Sequence, residues 1–176
     1  PTTVKNSADK PLLTVSIHKA EQLSEALVSL APARVYVPIE LLPQLELAPY
    51  LGRTEFFAVL PRIYRTQDEP ILRALLEDAA KKGVTGVSIA NLGHLSLVRG
   101  LKVTLHGDWA LNIYNSAALS FWKKEGLASA CASFELRDAQ LRDLSKCLPC
   151  EAIVYGRLPL MITENCLVQN ETGCHL

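Results

Sequence analysis

The stretch PILRALLEDAAKKGVTGVSIA, residues 70 to 90, combines a helical pattern with a strand pattern. Apolar residues recur along one side of the segment 70–82, which predicts an amphipathic helix. Pro70 suits the first turn, where its missing N–H costs nothing, and Gly83 suits the end of the helix. The apolar run GVSIA at 86–90 predicts a short buried strand. Together they form a helix–strand unit typical of an α/β protein.

The same alternation extends along the chain in both directions. The strand-like segments are LLTVSI (12–17), RVYVPI (34–39), EFFAVL (55–60), GVSIA (86–90), KVTLH (102–106), SACASF (129–134) and EAIVY (151–155). They are rich in Val and Ile, and we expect them to be apolar on both faces. The segments with helical spacing are 19–30, 70–82, 115–126 and 138–144.

Strand–helix alternation without a Gly-x-Gly-x-x-Gly turn favours a barrel over a doubly wound sheet. The predicted fold is therefore α/β and (β/α) barrel-like, with seven parallel strands. A full TIM barrel takes about 250 residues, so this is an incomplete TIM-type barrel. Its eighth strand is missing, supplied by flanking sequence, or was never present.

Composition narrows the class of protein. Eighteen basic side chains balance eighteen acidic ones, which argues against a general nucleic-acid or membrane surface but not against a local basic patch. The sequence has no signal-peptide pattern, and its five cysteines are an odd number, so we expect a cytoplasmic protein without a membrane partner. We predict a disordered or linker lead-in at 1–10, a barrel domain at 11–163, and the start of a truncated cysteine-bearing loop at 164–176. The missing initial Met suggests a piece of a longer chain.

Polar residues collect just past the predicted strands, where barrel proteins place their chemistry. The predicted catalytic residues are His106, Asp108, Glu135 and Arg157. The predicted substrate-binding residues are His18, Glu40, Arg62, Asn91, Asn112 and Asn115. The strand starts show no such set, and His94 is expected to face solvent.

Several of these residues have a purely structural alternative. His18, Glu40 and Glu135 precede helices and would serve equally well in the first turn or as caps. Arg62 would serve equally well in an ion pair. The run HGDWALNIYNSAAL, 106–119, interleaves four polar side chains with aromatic ones, which favours a ligand-facing role.

The cysteines divide by position. Cys131 lies within a strand, and Cys147 and Cys150 form a C-x-x-C whose place before the last strand favours burial over metal binding or redox chemistry. Cys166 and Cys174 follow the last strand and are the predicted metal ligands of a larger, truncated site.

The strings EAIVYGRLPLMITENC, LHGDWALNIYNSAAL and ASFELRDAQL resemble peptidase family U32, the collagenase-like proteins, and more narrowly the second U32-type module of its long members. The resemblance covers most of the chain. Glu151 and Gly156 match the family's Glu and Gly, and Cys166 matches the second of its two cysteines, whereas the first falls on Pro159. This departure puts the ligand set of the family's iron–sulfur site in doubt.

The resemblance implies three functions. The first is an iron–sulfur-dependent module, with a 4Fe-4S cluster in the full-length protein, that hydroxylates RNA or a small aromatic substrate. The second is a peptidase in which His106, Asp108 and Glu135 polarise a water molecule. The third is a duplicated scaffold domain without catalysis that supports the other modules of the parent chain. On any of them we expect the isolated fragment to be inactive.

Overall fold

The structure, a computed structural model, describes residues 10–159, 161–163 and 165–173. Most of the predicted lead-in, and Cys174, lie outside the described residues. The strands are β1 Thr14–Ser16, β2 Arg34–Pro38, β3 Glu55–Val59, β4 Gly86–Ile89, β5 Thr104–Gly107, β6 Ser129–Cys131 and β7 Cys150–Glu151. They form one sheet in the order of the sequence, and every neighbouring pair is parallel.

Helices connect most of the strands. They are α1 Glu25–Ser29, α2 Glu69–Lys81, α3 His94–Val98, α4 Ser116–Lys124, α5 Asp138–Asp143 and α6 Leu167–Thr172. Short 3-10 turns, Leu42–Gln44 and Ala48–Tyr50, connect β2 to β3 instead. The sheet curls until its first and last strands approach each other: the Thr14 hydroxyl of β1 lies 3.4 Å from the Glu151 carboxylate of β7, 137 residues away. The predicted incomplete (β/α) barrel is thus confirmed as a curled half-barrel of seven parallel strands.

The apolar core lies between the outer face of the sheet and the helices. Val35 and Val37 on β2 and Phe56 and Ala58 on β3 alternate with inward-facing residues and belong to one buried cluster. Its members on the α-helices are Leu72, Leu76, Ala79, Leu97, Val98, Leu119 and Trp122. No helix in the described part of the chain is long and apolar enough to cross a membrane.

The inner face of the sheet carries charged and polar side chains beside the aromatic ring of Phe57, so the expectation of strands apolar on both faces is wrong. Side chains alternate between faces along a strand, and Arg34 and Tyr36 therefore point opposite to Val35 and Val37. Arg34 pairs in register with Glu55, which means that strand starts carry charged residues after all. The inner layer continues on β5, β6 and β7 through His106, Ser129 and Glu151.

Candidate functional site

The Glu151 carboxylate is the centre of a polar cluster inside the half-barrel. The Tyr36 hydroxyl donates a 2.7 Å hydrogen bond to it. The guanidinium of Arg34 lies 3.5 Å away and also pairs with Glu55 at 3.1 Å. Burial raises the pKa of Glu151, while the Tyr36 hydrogen bond and the Arg34 charge oppose that shift. Glu151 on β7 thereby contacts Tyr36 and Arg34 on β2, and also Thr14 on β1, across the open side of the sheet.

His106 lies within β5 rather than past it, and its ring is enclosed. Its Nδ1 is 2.9 Å from the Ser129 hydroxyl, which also accepts a 2.9 Å hydrogen bond from Arg34. Because Arg34 can only donate, the Ser129 proton is available to His106 Nδ1. The Nε2–H then faces Glu151, whose Oε2 is 3.7 Å away.

His106 is neutral in this setting. Burial lowers its pKa to about 3, and the nearby Arg34 charge acts in the same direction. The distance of 3.7 Å to Glu151 is therefore a contact of a neutral ring with a carboxylate and not an ion pair. The contacts run from a serine hydroxyl to a histidine to a carboxylate, which is the order of the nucleophile, base and orienting acid in a catalytic triad. Ser129 is only 2% exposed, however, so its hydroxyl is closed to a substrate.

A separate cavity of about 250 Å³ lies at the carboxyl ends of the strands. Its walls include Arg62 after β3, Trp109 after β5, and Phe134 after β6. The guanidinium of Arg62 sits 4.5 Å from the centre of the Trp109 ring, and the rings of Trp109 and Phe134 are 5.4 Å apart. We call these three side chains the stacking platform. The Trp109 and Phe134 planes are tilted by 59°, so only Arg62 lies over a ring face. Guanidinium groups and aromatic rings are common contacts for flat ligands.

The remaining walls of the cavity supply hydrogen-bonding groups and an apolar cover. Asn112, in a left-handed conformation with φ of 55°, and Glu135 are polar members. The Tyr114 hydroxyl donates to the Glu135 carboxylate. Pro159 and Met161 contribute from the segment after β7. Arg62, Asn112 and Glu135 are thus the predicted site residues that the fold brings into one cavity.

Asp108 lies between the cavity and the polar interior. Its carboxylate accepts a 2.7 Å hydrogen bond from the Trp109 backbone N–H and caps the turn that carries Trp109. Burial raises its pKa to about 6, and the charge of Glu151 adds to the shift, while that hydrogen bond and Arg62 oppose it. A carboxyl group with such a pKa is able to exchange a proton near neutral pH.

The other predicted binding residues take structural or exposed positions. The Asn115 side chain caps α4 by accepting from the Ala118 N–H at 2.9 Å. His18, Glu40 and Arg157 are exposed and do not line the cavity. Asn91 ties two loops together through its amide, which lies 3.1 Å from the Arg62 carbonyl oxygen.

The described cysteines do not by themselves fit an iron–sulfur cluster, which needs about four converging thiolates. Cys131 is buried, and Cys147 and Cys150 pack against the core. Cys166 is exposed, and its sulfur caps α6 by accepting from the Gln169 N–H at 3.4 Å. Among the described residues no three His, Cys, Asp or Glu side chains are placed to hold a metal ion together.

Sequence reasoning missed Trp109 and Phe134 in the cavity, and Arg34, Tyr36 and Ser129 inside the sheet. A signal existed for the interior set. In RVYVP, polar or aromatic residues alternate with valines at a period of two, as in a strand with one polar face. Trp109 lies in the run 106–119, whose mixture of polar and aromatic residues favoured a ligand-facing role. Phe134 had no such signal, because it meets Trp109 only through the pairing of β5 with β6.

The fold defines this chain as an α/β barrel-type protein, with a small cavity lined by polar and aromatic side chains at its strand ends. The sequence model of peptidase family U32 matches residues 46–174, and the chain belongs to this family. A solved structure described as that of the U32 peptidase Mk0906 has a similar fold, with a TM-score of 0.57 and 10% sequence identity. The similarity covers 84% of this chain and 70% of that one. A comparison with curated proteins gives no significant match.

Proposed function

We propose that this chain binds a flat aromatic substrate, an RNA base or a small aromatic molecule, as part of a U32 protein that hydroxylates it. The observation that carries the proposal is the stacking platform, Arg62, Trp109 and Phe134, in one cavity with Asn112 and Glu135. Proteins recognise unstacked bases by aromatic and guanidinium stacking combined with hydrogen bonds to the base edge. Both elements are present in the walls of this cavity.

We propose an iron–sulfur cluster as the cofactor of this reaction. An iron–sulfur cluster would take Cys166 and Cys174 as ligands together with cysteines elsewhere in the parent chain. Cys174 lies outside the described residues, and the described cysteines form no group of three that could hold a metal ion. We therefore assign to this chain the binding of the substrate and assign no step to the cluster. The other modules of the parent chain are its proposed partners.

Peptide hydrolysis is the second candidate, and Asp108 favours it. A carboxyl group with a pKa raised to about 6 by burial suits a general base that activates water. The interior group Ser129 and His106 supports this candidate less, because Ser129 is enclosed and the pKa of His106 is lowered to about 3.

The two tryptophans of the chain provide a direct test of substrate binding. Trp109 lies in the cavity, whereas Trp122 is buried in the core. Labelling with 5-fluorotryptophan gives two ¹⁹F resonances, which the variants Trp109→Phe and Trp122→Phe assign. Titration with cytidine, uridine, adenosine and 4-hydroxybenzoate should shift the Trp109 resonance in a saturable manner and leave the Trp122 resonance in place. A Trp109 resonance that responds to none of these compounds would contradict the proposal.

Activity is tested on the full-length protein. Prepared without oxygen, it should contain iron and acid-labile sulfide, and less of both after Cys166→Ala. Cleavage of casein or denatured collagen, abolished in Asp108→Asn, would support the peptidase instead. Full activity in a parent chain that lacks this module would support a scaffold role and count against both candidates.

A further inference from the structure

We infer that His94 and Asn91 form a brace that positions Arg62 over Trp109. The inference deepens the proposed function, since the platform that the brace holds is the proposed ligand surface. It concerns two residues of the loop after β4, neither of which lines the cavity. His94 was expected to face solvent, but its exposed fraction is 0%, so that prediction is wrong.

The hydrogen bonds of His94 fix its tautomer. The Ala90 backbone N–H, which can only donate, lies 3.0 Å from His94 Nδ1. Nδ1 must therefore accept, and the proton of the neutral ring sits on Nε2. The backbone of Pro61 lies close enough to the ring to raise its pKa, against the lowering effect of burial. His94 is thus bonded to the end of β4 at Ala90 and lies beside Pro61, the second residue after β3.

Asn91 holds the next carbonyl along the same loop. Its amide nitrogen donates to the Arg62 carbonyl oxygen at 3.1 Å. It also lies 3.2 Å from His94 Nε2, so the two side chains are packed side by side. Asn91 therefore anchors the Arg62 carbonyl, and His94, itself anchored by the Ala90 N–H, holds Asn91 in place.

These two anchors set the direction in which the Arg62 side chain leaves its backbone. The guanidinium is an exposed group that reaches the Trp109 ring at 4.5 Å. A cation–π contact at an exposed site contributes only about 0.5–1 kcal/mol. This amount is too small to reorganise a loop, so the loop must already be held when the contact forms. The brace supplies that hold.

Asn91→Asp tests the inference, because aspartate keeps the shape of asparagine and removes the donor to Arg62. Leu92→Ala is the matched control, since Leu92 is the neighbouring residue and its side chain is exposed. In the ligand-free chain, Asn91→Asp should shift the ¹⁹F resonance of Trp109 and leave that of Trp122 unchanged. Leu92→Ala should move neither. His94→Gln provides a second variant of the brace, and its folding is checked by circular dichroism.

Ligand affinity provides the second measurement. Asn91→Asp should weaken the binding of the nucleoside or benzoate that the wild type binds by about two- to five-fold. A Trp109 resonance unchanged in Asn91→Asp, or a shift of both tryptophans together, would overturn the inference. A shifted Trp109 resonance in a chain whose wild type binds none of the compounds would uphold the brace and remove only the proposed ligand.

Discussion

The substitution Glu151→Gln tests how the open side of the half-barrel is held. Glutamine keeps the size of glutamate and removes its charge. The Tyr36 hydroxyl at 2.7 Å is able to donate to the remaining carbonyl oxygen. The new amide group takes the place of Oε2, where the Thr14 hydroxyl is able to accept from it but His106 Nε2–H, 3.7 Å away, is left without an acceptor. Arg34 loses the charge of its partner.

The expected loss follows from these contacts. A hydrogen bond to a charged group contributes about 1.5–3 kcal/mol, and a buried donor left without an acceptor costs a similar amount. Arg34 keeps its second partner, Glu55, at 3.1 Å, which limits the loss. We therefore expect Glu151→Gln to lower the free energy of unfolding by about 2 kcal/mol. Glu55→Gln is the matched control, since its side chain is 56% exposed against 22% for Glu151. It should cost only about 0.5 kcal/mol.

Urea denaturation of the chain measures both variants. With a slope of about 2 kcal/mol per molar urea, Glu151→Gln should lower the midpoint by about 1 M and Glu55→Gln by about 0.25 M. Equal midpoints for the two variants would show that Glu151 does no more than an exposed partner of Arg34. The account of the half-barrel as closed through β7 would then be wrong.

Three further substitutions test other parts of the structure. The pKa of His94 is lowered by burial to about 4, so between pH 6.5 and pH 4 only the unfolded chain binds the proton and stability falls as the pH falls. The free energy of unfolding, measured in urea, should therefore fall by about 2 kcal/mol more between pH 7 and pH 5 for the wild type than for His94→Gln. Equal losses in the two proteins would refute this. Gly86→Ala places a methyl group 2.3 Å from the Phe57 ring and should lower the melting temperature by several degrees. Gly100→Ala meets no atom within 4 Å but lies at a φ of 85°, so it measures the cost of backbone strain without a clash and should lower the melting temperature less. Asn115→Ala removes the cap of α4 and should lower the free energy of unfolding, measured in urea, by about 1 kcal/mol. A change near zero would mean that the cap does not stabilise the helix.

Local sequence signals predicted some elements well. Helix α2 runs from Glu69 to Lys81, close to the predicted 70–82, because Pro70 and Gly83 mark its two ends. The strands are correctly ordered but shorter. The segment 151–155 was predicted as a strand, yet β7 includes only Glu151 of it, and Val154 and Tyr155 are 91% and 97% exposed. β7 is an edge strand that forms backbone hydrogen bonds with β6 alone, so fewer bonds hold its residues in the sheet. The sequence of a strand does not show whether it lies at an edge.

The candidate site was harder to predict, because a residue at the end of a strand belongs either to the sheet or to the rim. His106 was assigned to the rim but lies inside β5, Thr104–Gly107, and its side chain points inward to Ser129 and Glu151. The polar rim was predicted in part, since Arg62, Asn112 and Glu135 do share a cavity. Which aromatic side chains join them depends on how neighbouring loops fold, and sequence spacing does not determine that.

The strand order has a consequence for how the chain reaches its fold. Every strand pairs with the one made just before it, so a nascent chain can add β2 to β1, β3 to β2, and so on as it leaves the ribosome. The exceptions include the side-chain contacts of Glu151 with Thr14 and Tyr36 and that of Ser129 with Arg34, which need strands from both halves of the sheet at once. Synthesis would therefore build an unclosed, twisted ribbon first, and the arrival of Glu151 would be the last event that sets its curvature.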